Sequence, residues 1–246
     1  MIKISGIVLT YNNIHTIKQC IKSFKKFNEV LVLDSNSTDG TKEFLKNHPK
    51  VTLYSGPPIE NKWIPIHNAM ILECNNPYCF YLDSDEMINV NAYDEMQELW
   101  RKYPKAFPVH GRATIVHSNQ IRQERFPDPQ FRGGPTKTLR YYNPRNTVHE
   151  LLDPKHVGHK PLLSRMNYII IHNRNIEQEW CRKQLEWNQQ KIRETSNTRS
   201  LYDEYNVKTF DELIEFMKKM PTFPISDLEK SKFILPSKKR LGGWIK

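Results

Sequence analysis

Residues 80–89 read FYLDSDEMIN: an apolar approach runs into Asp83, Ser84, Asp85 and Glu86. Carboxylates this close repel one another unless positive charge stands among them. A strand that ends this way points to a divalent cation above its tip. The reading of the rest of the chain follows from asking whether other strands end at the same place.

They do. Upstream, ISGIVLTY (4–11) reads as a buried strand. NNIHTIKQCIKSFKKF (12–27) then sets Ile14, Ile17, Ile21 and Phe24 at helical spacing with lysines on the other side. NEVLVLDSNSTDGT (28–41) is a second strand that ends at Asp34. Its Ser/Thr/Asp/Gly loop carries helix-capping residues, with Thr38 or Asp39 as cap for GTKEFLKNHP, and Pro49 as the stop. VTLYSG (51–56) is a third strand, IPIHNAMILEC (64–74) a helix, and YCFYLD (78–83) a fourth strand. Strand and helix alternation of this kind predicts an α/β fold, a Rossmann-like, mostly parallel central sheet with helices on both faces. Ligands of such sheets lie at the carboxyl ends of the strands. Three of those ends are polar here: Thr10-Tyr11-Asn12, Asp34 and Asp83-Ser84-Asp85.

From about residue 105 to 174 the pattern loosens into short strand-like pieces (TIVH, KTLRYY, NYIIIH) among Pro, Gly and Arg. This predicts a mixed or antiparallel extension. EQEWCRKQLEWNQQKIRETS (177–196) and TFDELIEFMKKM (209–220) read as helices of a C-terminal helical extension. It ends in the basic PSKKRLGGWIK (236–246).

The bulk numbers bound the partners. The 246 residues suit one large domain or a domain with an appendage. A formal charge of +10 suggests an anionic partner: a nucleotide, a nucleic acid or an anionic membrane surface. No apolar run reaches the length of a transmembrane segment, and the N-terminus reads straight into a strand without a signal peptide. The four cysteines have no C-x-x-C spacing and read as reduced thiols of a cytoplasmic protein, with peripheral contact to a membrane as an addition to that placement.

GIVLTYNN (6–13), VLVLDSNSTDGT (30–41) and YLDSDE (81–86), in this order and spacing, resemble glycosyltransferase family 2 on the GT-A fold. FPDPQFR (126–132) and VHE (148–150) resemble its small bacterial members that build the lipopolysaccharide core. The resemblance covers residues 1–175 and implies a GT-A catalytic domain. Its nucleotide-sugar half is 1–100 and its acceptor half 101–175, with 176–246 as the extension. It implies a metal-dependent inverting transfer from a UDP-sugar to a hydroxyl of a saccharide or glycolipid.

The resemblance also implies roles. Asp83-Ser84-Asp85 is the D-x-D element (DXD motif), whose cation, Mn²⁺ or Mg²⁺, neutralises the departing diphosphate. Asp85 is the direct metal ligand, and Asp83 reaches the ribose or the metal. His172, ending the apolar YIIIH, completes the metal shell or is a satisfied structural histidine; imidazole favours Mn²⁺. Asp34 contacts the uracil or ribose, Thr10, Tyr11 and Asn12 line the base pocket, and Asp39 serves the nucleotide, the helix cap or both. Asn68 falls near the nucleotide sugar, and Lys62 is a diphosphate or ribose contact or a solvated lysine. Direct displacement needs a base on the acceptor face. Glu150 is the first choice and Asp128 its rival; each serves equally well as a salt-bridge partner of Arg132, Arg140 or Arg145. IRQERFPDPQFRGG (121–134) reads as a flap over the diphosphate or as a groove for a phosphorylated acceptor.

Two alternatives stay open. One is transfer to hydroxymethylated pyrimidines in phage DNA, which suits the charge. The other is a non-catalytic nucleotide- or nucleic-acid-binding module, which leaves the acidic strand ends unexplained. A nucleotidyltransferase is excluded, because TYNNIHT after the first strand lacks the Gly-rich phosphate loop.

Overall fold

The computed structural model describes residues 1–56, 63–88, 91–123, 128–142, 151–152, 162–175, 177–178, 183 and 206–224. Lys62, Glu150, Arg125, Arg145 and the basic tail lie outside the described residues, as does almost all of 177–196.

The alternation predicted from sequence is present. β1 (Ile4–Thr10), α1 (Ile14–Ser23), β2 (Glu29–Asp34), α2 (Thr41–Lys46), β3 (Val51–Ser55), α3 (Trp63–Leu72) and β4 (Tyr78–Asp83) follow one another. The first sheet runs β3-β2-β1-β4, all parallel. Thr10 lies beside Asp34, and Leu9 beside Asp83, so the polar strand ends share one rim.

Side-chain alternation explains why both faces are covered. Ile4, Val8, Val30, Val32, Phe80 and Leu82 pack under α1, α2 and a further helix, α4 (Asn91–Lys102), through Ile17, Phe24, Leu45, Met96 and Trp100. Ile7, Leu9, Leu31, Cys79 and Tyr81 point the other way, to Met70 and Ile71 of α3 and to Phe107 and Val109. Gly6 has a steric reason: a Cβ there would meet the Phe24 ring at 2.7 Å. The helix α4 is an addition to the sequence reading, which passed from the acidic motif directly to the extension.

A second sheet closes the site. β5 (Glu86–Ile88), β6 (Ala106–His117), β7 (Gln120–Arg122), β8 (Asp128–Phe131), β9 (Gly133–Pro135), β10 (Tyr141–Tyr142), β11 (Leu151–Leu152) and β12 (Leu162–Asn173) come next. β12 lies between β6 and β5, and β8 pairs with β6. The predicted mixed extension is therefore present, and KTLRYY contributes only β10, which pairs with β11. Gly133 and Gly134 end the stretch read as a flap or a groove. They form β9, antiparallel to β4, and a Cβ would meet the Cys79 carbonyl oxygen at 2.6 Å or the Phe107 ring at 2.6 Å. Close packing, not freedom, calls for glycine at both places.

In the C-terminal part, α5 (Phe210–Lys218) starts with a capping box between Thr209 and Glu212. Phe210, Leu213, Met217 and Met220 pack on Val116, and β13 (Thr222–Pro224) pairs with β7. No helix among the described residues is long and apolar enough to cross a membrane.

Candidate active site

The rim over β1 and β2 is built from short polar side chains. Asn12 adopts a positive φ of 50°. From there its N–H donates to Ser37 Oγ (2.8 Å) and its Oδ1 accepts from the Thr38 N–H (2.8 Å). The two strand-end loops are thus tied together. Asp39 accepts from the first N–H of α1, at Ile14 (3.0 Å), and from that of α2, at Thr41 (3.0 Å). Burial works against its ionisation, but these N–H groups outweigh it and hold the carboxyl below its ordinary value. Its capping chemistry, expected at one helix, serves two; the N-cap position of α2 itself is Gly40, at φ 93°.

Asp34 is fully buried. Its Oδ2 accepts from the Ser37 N–H at 3.0 Å, whereas Oδ1 has no partner among the described residues. Thr10 Oγ1, Asn13 Oδ1 and Ser35 Oγ are also buried there without partners among the described residues. A buried polar atom left unpaired costs about 1–3 kcal/mol. A cluster of such atoms at one rim calls for ordered water or a polar ligand as partner. Tyr11 stands half-exposed beside them.

The acidic motif is held by positive groups of the protein itself. Arg132 lies under it, buried, with its guanidinium 4.5 Å above the Tyr81 ring. It donates to Asp83 Oδ2 (2.9 Å) and Glu86 Oε1 (2.6 Å). Glu86 is fully buried, and its Oε2 accepts from the Asp83 N–H at 3.0 Å, which fixes the turn. Burial pushes the Glu86 carboxyl up, and the nearby arginines only partly offset this. For Asp83 the balance reverses: burial is outweighed by Arg132, and the carboxyl is held below its usual range. Ser84 is buried and receives the Asn13 side-chain amide, which joins the ends of β1 and β4.

Asp85 meets His172 from 87 residues away: Oδ2 and Nε2 are 3.3 Å apart. Register explains the approach, because His172 pairs with Glu86 across β12 and β5. The Asn173 N–H donates to the Asp85 carbonyl at 2.9 Å and locks that pairing. Arg174 Nε donates to His172 Nε2 at 2.7 Å and lies 3.3 Å from Asp85 Oδ2. Burial opposes the Asp85 charge, but His172, Arg174 and Arg112 hold its carboxyl far below the usual range.

Two predicted residues have other partners. Asp128 forms an ion pair with Arg112 (Nε 3.0 Å, Nη2 2.6 Å), its direct cross-strand neighbour. Asn68 spends both ends of its amide on the Tyr141 backbone, at 2.8 and 2.9 Å. It ties α3 to β10 below the rim.

Sequence reasoning missed Asn13, Arg112 and Arg174, and it saw Glu86 without a role. Arg174 had a signal: in a strand, residues i and i+2 share a face, so an arginine two beyond a candidate ligand lies beside it. Arg112 had none, because its role comes from the β6–β8 register.

The matches to known proteins agree with this geometry. Residues 5–163 match the model of Glycosyl transferase family 2. The chain belongs to that family. The Rhizobium meliloti (strain 1021) lipopolysaccharide core biosynthesis glycosyltransferase LpsC is 26% identical over 102 residues, 39% of this chain and 36% of that protein. The chain thus aligns with only about a third of this curated relative's length. Among solved structures, S. aureus TarS 1-349 superposes with a TM-score of 0.52 at 15% identity, over 83% of this chain and 69% of that one. The same protein in complex with UDP-GlcNAc gives 0.54 at 14% identity, over 83% and 70%. At that identity the likeness shows the fold, a GT-A α/β fold with a mostly parallel sheet.

Proposed function

We propose that the protein is a metal-dependent inverting glycosyltransferase that moves a sugar from a UDP-sugar to a hydroxyl of a saccharide or glycolipid. The observation that carries this reading is the approach of His172 Nε2 to Asp85 Oδ2 at 3.3 Å, on the rim where the parallel strands end.

The donor set fits a divalent cation. Two ligands bound at about 2.1 Å and at right angles to one ion lie roughly 3 Å apart. One carboxylate oxygen and one imidazole nitrogen suit Mn²⁺ better than Mg²⁺. Among the described residues no group of three His, Cys, Asp or Glu converges on one point, so Asp85 and His172 would hold a cation there together with oxygens from substrate or water. A cation held there supplies charge neutralisation for the leaving nucleoside diphosphate. Asp34, Thr10, Asn13 and Ser35 offer hydrogen-bonding atoms to the uracil and ribose, with Tyr11 beside the ring. Asp83 is 40% exposed in its ion pair with Arg132 and faces the ribose or the cation.

The base is Glu150 or Asp128. Asp128 Oδ2 already accepts from Arg112 Nε and Nη2 and from the Gln130 amide, so the oxygen a base would use is engaged, which favours Glu150. The acceptor class rests on LpsC, a lipopolysaccharide core enzyme by name, and the donor on the UDP-GlcNAc complex of TarS. The chain acts from the cytoplasmic side, with its basic tail as a contact to anionic lipid.

The test is calorimetric titration of UDP with and without Mn²⁺. Binding that requires Mn²⁺, and is lost in Asp85→Asn with the fold intact, is the expected result. UDP binding of equal strength after chelation overturns the metal assignment. Incubation with mixed UDP-sugars and either core oligosaccharide or DNA carrying hydroxymethylated pyrimidines then decides the acceptor by the mass added.

A further inference from the structure

The side chain of Arg174 stands where a cation shared by Asp85 and His172 would stand. Its Nε is 2.7 Å from His172 Nε2 and 3.3 Å from Asp85 Oδ2, and those two atoms are themselves 3.3 Å apart. Arg174 Nε–H donates to His172 Nε2, so that nitrogen faces the guanidinium as an acceptor. A lone pair and a carboxylate oxygen converging on one positive group is the arrangement a metal ion needs. Both cannot occupy it. Two positive charges within bonding reach of the same pair of atoms repel, and each ligand atom has one lone pair directed at the point.

The other arginines of the site are not placed for exchange. Arg132 and Arg112 are both held by Glu86, whose side chain is fully buried. Arg174 is different. Its side-chain partners among the described residues, Asp85 and His172, are the groups a cation would take, and its side chain is 25% exposed, with a route to solvent. Its backbone is fixed: the Arg174 N–H donates to the Ile115 carbonyl at 3.0 Å, and the preceding Asn173 is pinned to Asp85. A long side chain on a fixed Cα, at the edge of the rim, can pivot without moving the sheet.

We propose that Arg174 is an exchangeable guanidinium. It holds Asp85 and His172 together until the divalent cation arrives, gives up that position, and turns its planar fork to the donor's diphosphate. The proposal rests on the reading of the site as one for a metal and a nucleoside diphosphate. The chemistry is consistent at each stage. Before the cation, the guanidinium balances Asp85. Afterwards the released guanidinium meets new negative charge in a geometry that favours bidentate contact with phosphate oxygens. Metal and nucleotide would bind in order, since the diphosphate recruits an arginine that the metal has freed.

One substitution separates the two halves, because they have opposite signs. Arg174→Gln removes the competitor for the cation site and the ligand for the diphosphate. Binding of Mn²⁺ alone is measured by the loss of its free electron-spin-resonance signal on titration with protein, without nucleotide. UDP affinity is then measured by calorimetry at saturating Mn²⁺. The expected result is Mn²⁺ binding about tenfold tighter and UDP binding about tenfold weaker, the scale of one charge-assisted hydrogen bond. Arg174→Lys should restore part of the UDP affinity, as a point charge without the fork.

Unchanged Mn²⁺ affinity, or weaker Mn²⁺ binding, in Arg174→Gln overturns the exchange. Tighter Mn²⁺ binding with unchanged UDP affinity overturns the diphosphate role. Wild-type protein that takes up no Mn²⁺ overturns the reading of the site itself, a result distinct from either of these.

Discussion

Arg132 and Glu86 form a buried ion pair, 2.6 Å between Nη2 and Oε1, directly beneath the acidic turn. The pair is also the midpoint of a longer alternation of charge: Asp83, Arg132, Glu86, Arg112, Asp128. The strand can run into carboxylates because buried arginines already stand among them. The cation of the proposed reaction therefore adds to a cluster whose three carboxylates already meet two arginines, and does not create it.

Glu86→Ala should be among the most damaging single changes in the chain. It leaves Arg132 buried with Asp83 as a half-exposed partner, and it removes the acceptor that fixes the Asp83 N–H. Breaking a buried pair from one side costs about 3–5 kcal/mol. Urea unfolding should show that loss, and adding Arg132→Met should recover part of it, since the uncompensated charge is then gone. A loss under about 1 kcal/mol in the single variant would mean water reaches the pair.

Gly6→Ala tests the packing of α1 on the sheet. The new methyl would meet the Phe24 ring at 2.7 Å, and Phe24 is fully buried. Overpacking of this kind costs roughly 1–3 kcal/mol. Pairing it with Phe24→Leu should recover stability relative to the sum of the two single changes, measured by the same unfolding midpoint.

The stability of the fold should fall on mild acidification because of His110. This residue is fully buried, edge-on to Phe80 with ring centroids 5.0 Å apart. Burial, aided by Arg132, keeps its pKa well below the ordinary 6.5. The folded state thus keeps the ring neutral while the unfolded chain protonates it near its usual value. Between those two values the unfolded state binds the extra proton, so stability is full above about pH 6.5 and declines below it, by up to about 1.4 kcal/mol per pH unit. His110→Leu should remove that part of the slope between pH 6.5 and 5, whatever it does to stability at pH 8. An unchanged slope would assign the effect to other histidines.

How much of this was legible depends on where the signal lay. Local patterns carried β1 to β4 and α1 to α3, because each buries a face at its own period and ends in a polar group. The convergence of the ends of β1, β2 and β4 was legible too, since a parallel sheet brings its carboxyl ends to one rim. What the sequence could not show were contacts set by register between distant strands. Asp128 chose Arg112 because β8 lies antiparallel to β6. The packing of Gly133 and Gly134 likewise comes from β9 lying against β4. Helix α4 was legible too, since Ala92, Tyr93, Met96, Leu99 and Trp100 bury one face at helical spacing; the sequence reading passed over it.

The polar rim offers a prediction that depends on the nucleotide alone. Asp34 keeps one oxygen on the Ser37 N–H and leaves the other buried and unpaired. In Asp34→Asn the remaining oxygen can still hold Ser37, so the loop keeps its shape. The position facing the ligand, however, becomes an N–H donor in place of an acceptor. A uracil N–H or ribose hydroxyl then meets a donor, and the charge-assisted bond is lost. Hydrogen bonds to charged groups contribute about 1.5–3 kcal/mol, which corresponds to a UDP affinity roughly 10- to 100-fold weaker. Mn²⁺ binding in the absence of nucleotide should not change, because Asp34 lies on β2 and the Asp85–His172 pair beyond β4. Calorimetry of both ligands on the one variant checks this. Equal loss for Mn²⁺ and UDP would mean that Asp34 supports the whole rim, and undiminished UDP binding would remove it from the nucleotide site.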